Sequence, residues 1–202
     1  VIEVDVSGDL WTVRLNRPEK ANALTKNMLE RLVETVEQSK EGRVLVLTGA
    51  GSVFSAGADL AEARAGLATD DVWERLSSAI ADHPGLTITA LNGPVAGGAM
   101  GMILACDLRI AVPQTKVFYP VMKLGFLPQP SDPKRMAALV GPARAKLILM
   151  AGAKLTAQQA QEMGLIDVLC EVSDLEAKIS ELSADALAAP RAVLTGIKAL
   201  CR

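Results

Sequence analysis

Two apolar runs each lead into a glycine-bearing turn and then a helical pattern, and this pairing limits what the chain can become more than any other feature. The first turn is Phe54-Ser55-Ala56-Gly57-Ala58-Asp59-Leu60, and the second is Asn92-Gly93-Pro94-Val95-Ala96-Gly97-Gly98-Ala99-Met100-Gly101. A strand that turns sharply into a helix leaves the first helical N–H groups without intrahelical partners. Such groups favour negative charge. Two of these turns aimed at one point would supply fixed donors to an oxygen that gains charge during a reaction. The plain reading of Gly97-Gly98 is a tight turn that needs positive φ or close packing. The twin turn at Gly57 tips the balance toward paired donors.

The flanking pattern is mixed α/β. Ile2, Val4 and Val6 alternate with polar residues, and so do Trp11, Val13 and Leu15 beyond Ser7-Gly8-Asp9. That is the mark of a hairpin. Apolar residues at helical spacing predict a helix over about 25–38. Val44–Leu47 and Leu86–Leu91 read as strands, the first buried on both faces. Residues 60–81 read as helix and loop whose charged positions suggest mobility or exposure, 99–106 as a buried apolar helix, and 108–112 and 117–119 as strands. From Asp132 the pattern is mostly helical, over about 132–140, 142–150, 156–163, 174–188 and from Pro190, with a short strand near 168–172. No linker separates two domains. The expected organisation is one domain over 1–202, with an α/β core to about 130 and a helical, oligomerising region over about 131–202.

Composition excludes several classes. Aromatic residues are 3% of the 202, so the core must be built from Ala, Leu, Val, Ile and Met. The net charge of −2 comes without a basic stripe, so nucleic acid is not an expected partner. Cys106, Cys170 and Cys201 form neither a zinc pattern nor a disulfide framework. They fit a reducing compartment, and a cytoplasmic setting is expected. With one histidine, His83, a transition-metal site is not expected. His83 precedes Pro84 and reads as loop surface. No run approaches the roughly 18 apolar residues of a membrane helix and no leader pattern opens the chain, so membrane insertion is not expected. Gly49-Ala-Gly51 after a strand begins like a dinucleotide fingerprint, but Phe54 stands where close helix–strand packing needs Gly or Ala.

Longer motifs point elsewhere. Leu15-Asn16-Arg17-Pro18 with Asn22-Ala23-Leu24, Leu47-Thr48-Gly49 with Phe54–Leu60, and Asn92–Gly98 with Ala105-Cys106-Asp107-Leu108-Arg109 occur in order. Lys123-Leu124-Gly125 with Pro128, Leu155-Thr156-Ala157 with Ala160, and Met163-Gly164-Leu165-Ile166-Asp167 follow. In this set the chain resembles the crotonase superfamily, the enoyl-CoA hydratase/isomerase family, from about residue 2 to the C-terminus. The resemblance implies an α/β fold, a spiral of ββα units with a helical C-terminal part, assembled as a homotrimer or hexamer. It implies an acyl-CoA thioester as ligand, and no metal or redox cofactor. By motif position the carbonyl donors are the N–H groups of Ala58 and Gly98. The CoA is expected along Lys20 and Ala21 and along Ala56, Gly57, Asp59 and Leu60, with Gly97 and Gln129 also near the ligand.

The resemblance also assigns the two hydratase glutamates to positions that here hold Gly101 and Val121, neither of which moves a proton. A general acid or base contributes roughly 10²–10⁴-fold, so ordinary hydration is expected to be very slow. In the segment Pro128–Asp132, Asp132 is titratable; it reads first as a helix N-cap before Pro133 and second as a catalytic carboxyl. Tyr119 is a further proton donor in outline, though its plain reading is packing. Asp59 and Asp107 read as structural, Glu62 and Arg64 as a solvated helix face, and Cys106 as a buried hydrophobe. Two classes stay open: an enzyme of the hydratase/isomerase type with atypical acid–base groups, and a non-catalytic acyl-CoA binder or carrier.

Overall fold

A computed structural model describes residues 1–201. Strands β1 (Ile2–Ser7) and β2 (Leu10–Leu15) form the antiparallel hairpin, with Ile2 opposite Leu15 and Gly8 at φ 60° in the turn. Helix α1 (Lys26–Ser39) follows, and its first turn is capped by Thr25, whose hydroxyl accepts from the Met28 N–H. Strand β3 (Val44–Gly49) pairs parallel with β2. Helices α2 (Leu60–Arg64) and α3 (Val72–Ala81) lead to β4 (Leu86–Leu91), parallel with β3. After β5 (Val95–Ala96) and α4 (Met100–Ala105), β6 (Leu108–Ala111) pairs parallel with β4. Then come β7 (Lys116–Phe118), α5 (Val121–Leu124), α6 (Asp132–Val140), α7 (Pro142–Leu149), β8 (Leu155–Thr156), α8 (Ala157–Glu162), β9 (Val168–Leu169), α9 (Leu175–Ala188) and α10 (Arg191–Leu200). The larger sheet runs β1-β2-β3-β4-β6-β9 and the smaller β5-β7-β8.

Parallel strands joined by helical crossovers are covered on both faces, which explains their continuous apolar runs. Leu45 and Leu47 of β3 pack with Leu29, Leu32 and Val36 of α1 and with Met100 and Met102 of α4. Val44 and Val46 point the other way, to Ile88, Ile110 and the α9 residues Leu175 and Ala186. Each fully buried Leu or Val contributes about 1.5–3 kcal/mol. The C-terminal segment therefore supplies a cover for the second face of the sheet, and β9 its last strand.

Residues 60–81 are less exposed than their charges predict. Trp73, Leu76 and Ile80 of α3 are buried against α1 and α4. The reading of His83 as loop surface is overturned. Its ring is fully buried, with Nε2 on the Ser39 carbonyl at 3.0 Å and Nδ1 accepting from the Gly85 N–H at 3.0 Å. Burial holds its pKa below the ordinary histidine value. The loop Gly49–Val53 is tied by asparagines: Asn22 Nδ2 donates to the carbonyls of Ala50 and Val53, and Asn92 Nδ2 to those of Gly51 and Val53. Its two glycines thus serve a clamped turn, and Phe54 is fully buried behind it.

Candidate functional site

The two glycine turns lie side by side. Ser55 bridges to Val95 in parallel fashion, the Ala96 N–H donates to the Ser55 carbonyl, and the Phe54 N–H donates to the Pro94 carbonyl. Gly57 at φ 89° and Gly97 at φ 59° both need the left-handed region that glycine tolerates. A side-chain carbon on Gly57 would come within 2.8 Å of the Ala96 oxygen and 3.4 Å of Gly97 Cα. The turns are therefore in contact through atoms that only glycine leaves clear. A left-handed pair at Ala21 (φ 50°) and Asn22 (φ 51°) runs beside the first turn, with the Ala56 N–H bonded to the Ala21 carbonyl at 3.0 Å.

A cavity of about 570 Å³ opens against both turns. Of the residues singled out in the sequence, Ala21, Ala56, Ala58, Leu60, Gly97, Gly98 and Gln129 line it. Among the described residues, Ala58 and Gly98 donate none of the backbone hydrogen bonds that knit the turns together. Lys20 is exposed outside the lining, and Gly57 faces the second turn. Asp59 also stands outside. It caps α2 through the Ala61 N–H at 3.0 Å and pairs with Arg17 at 2.9 Å, and these contacts hold its carboxyl below the usual range. Glu62 accepts from the Lys26 N–H, whereas exposed Arg64 reaches the cavity wall.

Several lining residues escaped sequence reasoning. Trp73 closes the floor under Gly98: a carbon added there would meet the indole at 3.0 Å, while the indole N–H is tied to the Leu67 carbonyl at 2.8 Å. Phe118, Leu124 and Phe126 add apolar wall. No local pattern marks Trp73, because its partner Gly98 lies on another element. Val121 lines the cavity, whereas Gly101 is buried in α4 and stands back from it.

Asp132 is not the N-cap. Ser131 takes that place and Asp132 is the first residue of α6, fully buried. Its Oδ2 accepts from the Tyr119 hydroxyl at 2.8 Å, and its Oδ1 has no hydrogen-bond partner among the described residues. Burial pushes its pKa up to about 6, against the pull of the Tyr119 hydrogen bond and of Arg135. Tyr119 lines the cavity and Asp132 stands behind it. Neighbouring Glu74 is raised by burial and lowered more by its bonds from Ser131 and by Arg135, and ends below its ordinary value. Asp107 is structural as expected, bonded to Thr87 and paired with Lys198 at 2.7 Å. Cys106 is buried, and burial raises its thiol to about 11.

This chain is similar to known proteins over most of its own length and over about two thirds to four fifths of theirs. The chain is 37% identical over 182 residues to YngF of Bacillus subtilis (strain 168), a protein named for enoyl-CoA hydratases/isomerases, across 85% of this chain and 70% of YngF. It is 34% identical over 187 residues to the enoyl-CoA isomerase/hydratase fer4 of Mycosarcoma maydis, across 82% and 68%. It is 30% identical over 201 residues to 4-chlorobenzoyl coenzyme A dehalogenase-2 of an Arthrobacter species, across 94% and 73%. The crystal structure of enoyl-CoA hydratase from Bacillus anthracis superposes with a TM-score of 0.88 at 32% identity, covering 98% of this chain and 80% of that one. The enoyl-CoA hydratase/isomerase structure from Pseudoalteromonas atlantica T6c gives 0.91 at 27%, covering 99% and 82%. The family model described as enoyl-CoA hydratase/isomerase matches residues 5–202. With its paired turns, parallel sheet and matching sequence, the chain belongs to the enoyl-CoA hydratase/isomerase family.

Proposed function

We propose that this protein binds an acyl-CoA thioester and polarises its carbonyl between the N–H groups of Ala58 and Gly98. The observation that carries the reading is the contact of the two turns, which brings both residues to the wall of one cavity. Fixed donors in a largely apolar site stabilise an enolate-like oxygen, and loss of one such donor costs roughly 10²–10³ in rate. Ala21 and Ala56 flank the first turn and suit the CoA arm, with exposed Lys20 available to a phosphate. Gln129 orients the ligand and cannot titrate. The catalysed reaction is of the hydratase/isomerase type with atypical acid–base groups, and no metal or redox cofactor takes part in it. The free thiols suit a reducing cytoplasm.

Hydration itself is expected to be slow. It needs one group to hold water and another to protonate carbon, yet Val121 offers the cavity an apolar wall and Gly101 stands behind it. The same observation favours a second reading, a binder or carrier without turnover. Calorimetry with butyryl-CoA and loss of the conjugated absorbance of crotonyl-CoA separate the outcomes. Binding with hydration far below the ordinary range of about 1–10³ per second is expected. No binding sinks the acyl-CoA reading, and turnover within that range sinks the claim of slow hydration.

A further inference from the structure

Tyr119 is the chain's only tyrosine. It is 3% exposed and stands in the wall of the cavity. Its hydroxyl has two partners: it donates to Asp132 Oδ2 at 2.8 Å and accepts from the Gln129 N–H at 3.4 Å. Asp132 carries no ion pair among the described residues. The groups that act on it come from three elements. Tyr119 follows β7, Arg135 lies on its own helix and attracts it, and Glu74 of α3 repels it. Arg135 is held off by the Ser77 hydroxyl at 2.9 Å, and Glu74 is occupied by the N–H and hydroxyl of Ser131. A carbon on residue 101 would stand 3.2 Å from Asp132 Oδ1 and 3.4 Å from Oδ2. The absent side chain of Gly101 is therefore what leaves room for this carboxyl.

We propose that Tyr119 and Asp132 form a proton relay, with Tyr119 as the group that touches the ligand and Asp132 as the positioning group that reloads it. The proposal rests on the acyl-CoA reading above. Tyr119 alone is a poor acid–base group, because burial and the neighbouring carboxyl push its pKa far above the ordinary phenol. Asp132 changes charge near neutrality but stands behind the cavity wall. Coupled, each supplies what the other lacks.

A phenol has one proton and two acceptor sites. With Asp132 ionised, the phenol O–H points at Oδ2. With Asp132 protonated, its carboxyl O–H donates to the phenol oxygen, the Gln129 N–H keeps the other site, and the phenol proton turns to the cavity. When an enolate carbon takes that proton, its electron pair makes the C–H bond and the thioester C=O is restored. The phenol O–H breaks, the phenol oxygen takes the Asp132 proton, and the carboxylate is left ionised with the phenol bonded to it. Run backwards, the carboxylate receives a proton from the carbon beside the thioester through the phenol. No other reactant is needed. A single relay moves one proton on a carbon framework, which fits α-proton exchange or a double-bond shift, and it leaves water without a base.

The first test needs no ligand. Tyrosine labelled with ¹³C at Cζ gives one resonance, since there is one tyrosine. Between about pH 4 and pH 8 that resonance should titrate with a midpoint near the Asp132 value of about 6, and should not move in Asp132→Asn. A flat wild-type resonance, or one that still titrates in Asp132→Asn, overturns the relay. The second test follows exchange of the α-hydrogens of butyryl-CoA into deuterium oxide by mass spectrometry. Tyr119→Phe should slow exchange by about 10²-fold or more with butyryl-CoA affinity little changed, and Asp132→Asn should flatten the pH profile of the remaining exchange. Binding without wild-type exchange, or full exchange in Tyr119→Phe, overturns the relay and leaves the acyl-CoA reading standing. A wild-type protein that binds no butyryl-CoA overturns both.

Discussion

At the scale of single residues, Gly98 answers to Trp73 as much as to any ligand. The 3.0 Å between a side-chain carbon added there and the indole leaves no slack, and the indole is pinned by its bond to Leu67. Gly98→Val is therefore expected to cost about 1–3 kcal/mol of stability through overpacking. It should also weaken butyryl-CoA binding by about tenfold or more, with free CoA less affected; thermal melts and calorimetry report the two effects separately. Asp132 gives a prediction of opposite sign. Its folded pKa of about 6 lies above the ordinary 3.8, so the native state holds the proton more tightly in that window. Stability from this group falls as pH climbs from about 4 to about 6 and stays lower above it. The shift corresponds to at most about 3 kcal/mol. Asp132→Asn should melt above wild type at pH 8, and the gap should close as pH approaches 4. A variant that melts lower at pH 8 would show that the ionised carboxylate contributes bonds beyond the one to Tyr119.

At the scale of elements, the regular helices and strands were legible and the contacts between them were not. The periods of α1, β4 and α6 appear in their own residues, and their bounds fall within a residue or two of expectation. The two-residue strands β5 and β8 and the short α5 carry too few residues to show a period. His83 shows the same limit. Its neighbour Pro84 spoke for a surface loop, whereas its partner Ser39 lies at the end of α1, far along the chain. Burial lowers the His83 pKa below 6.5, so the unfolded chain binds the proton more readily and stability is lost as pH falls through 6.5 toward the folded value. As the sole histidine, His83 is expected to titrate in an NMR series with a midpoint below 6.5, and a midpoint at or above that value contradicts the buried ring.

At the scale of the whole molecule, α10 leaves apolar surface uncovered. Val193 is 49% exposed, Ile197 58% and Leu200 88%, and no other described element covers this face. Contiguous surfaces of this kind mark association sites. Light scattering at micromolar concentration is expected to report three or six chains. A clean monomer would show that this face does not carry assembly. Replacing Ile197 by Lys should lower the assembly state while leaving the thermal melt of the dissociated chain within about 1 kcal/mol of wild type, since the residue is outside the core.

What the sequence determined by itself was local: the alternation that makes strands, the 3.6-residue spacing that makes helices, and the glycines at 57 and 97 that a left-handed turn demands. Its ordered motifs also pointed to the family, because a run of short patterns in one order is specific where each alone is not. The tertiary structure decided which distant groups meet. Asp132 read locally as a cap, since a carboxyl before Pro133 has a nearby use for it; in the fold it lies against Gly101 and the Tyr119 hydroxyl and is fully buried. Trp73 had no local signature, and only the crossing of α3 beneath the second turn sets its ring against Gly98. A side chain's burial, pKa and chemical role depend on atoms that the chain brings together across many positions. No spacing rule within one element carries that information, so the site's geometry emerged only when the two turns, α3 and α6 were packed around one cavity.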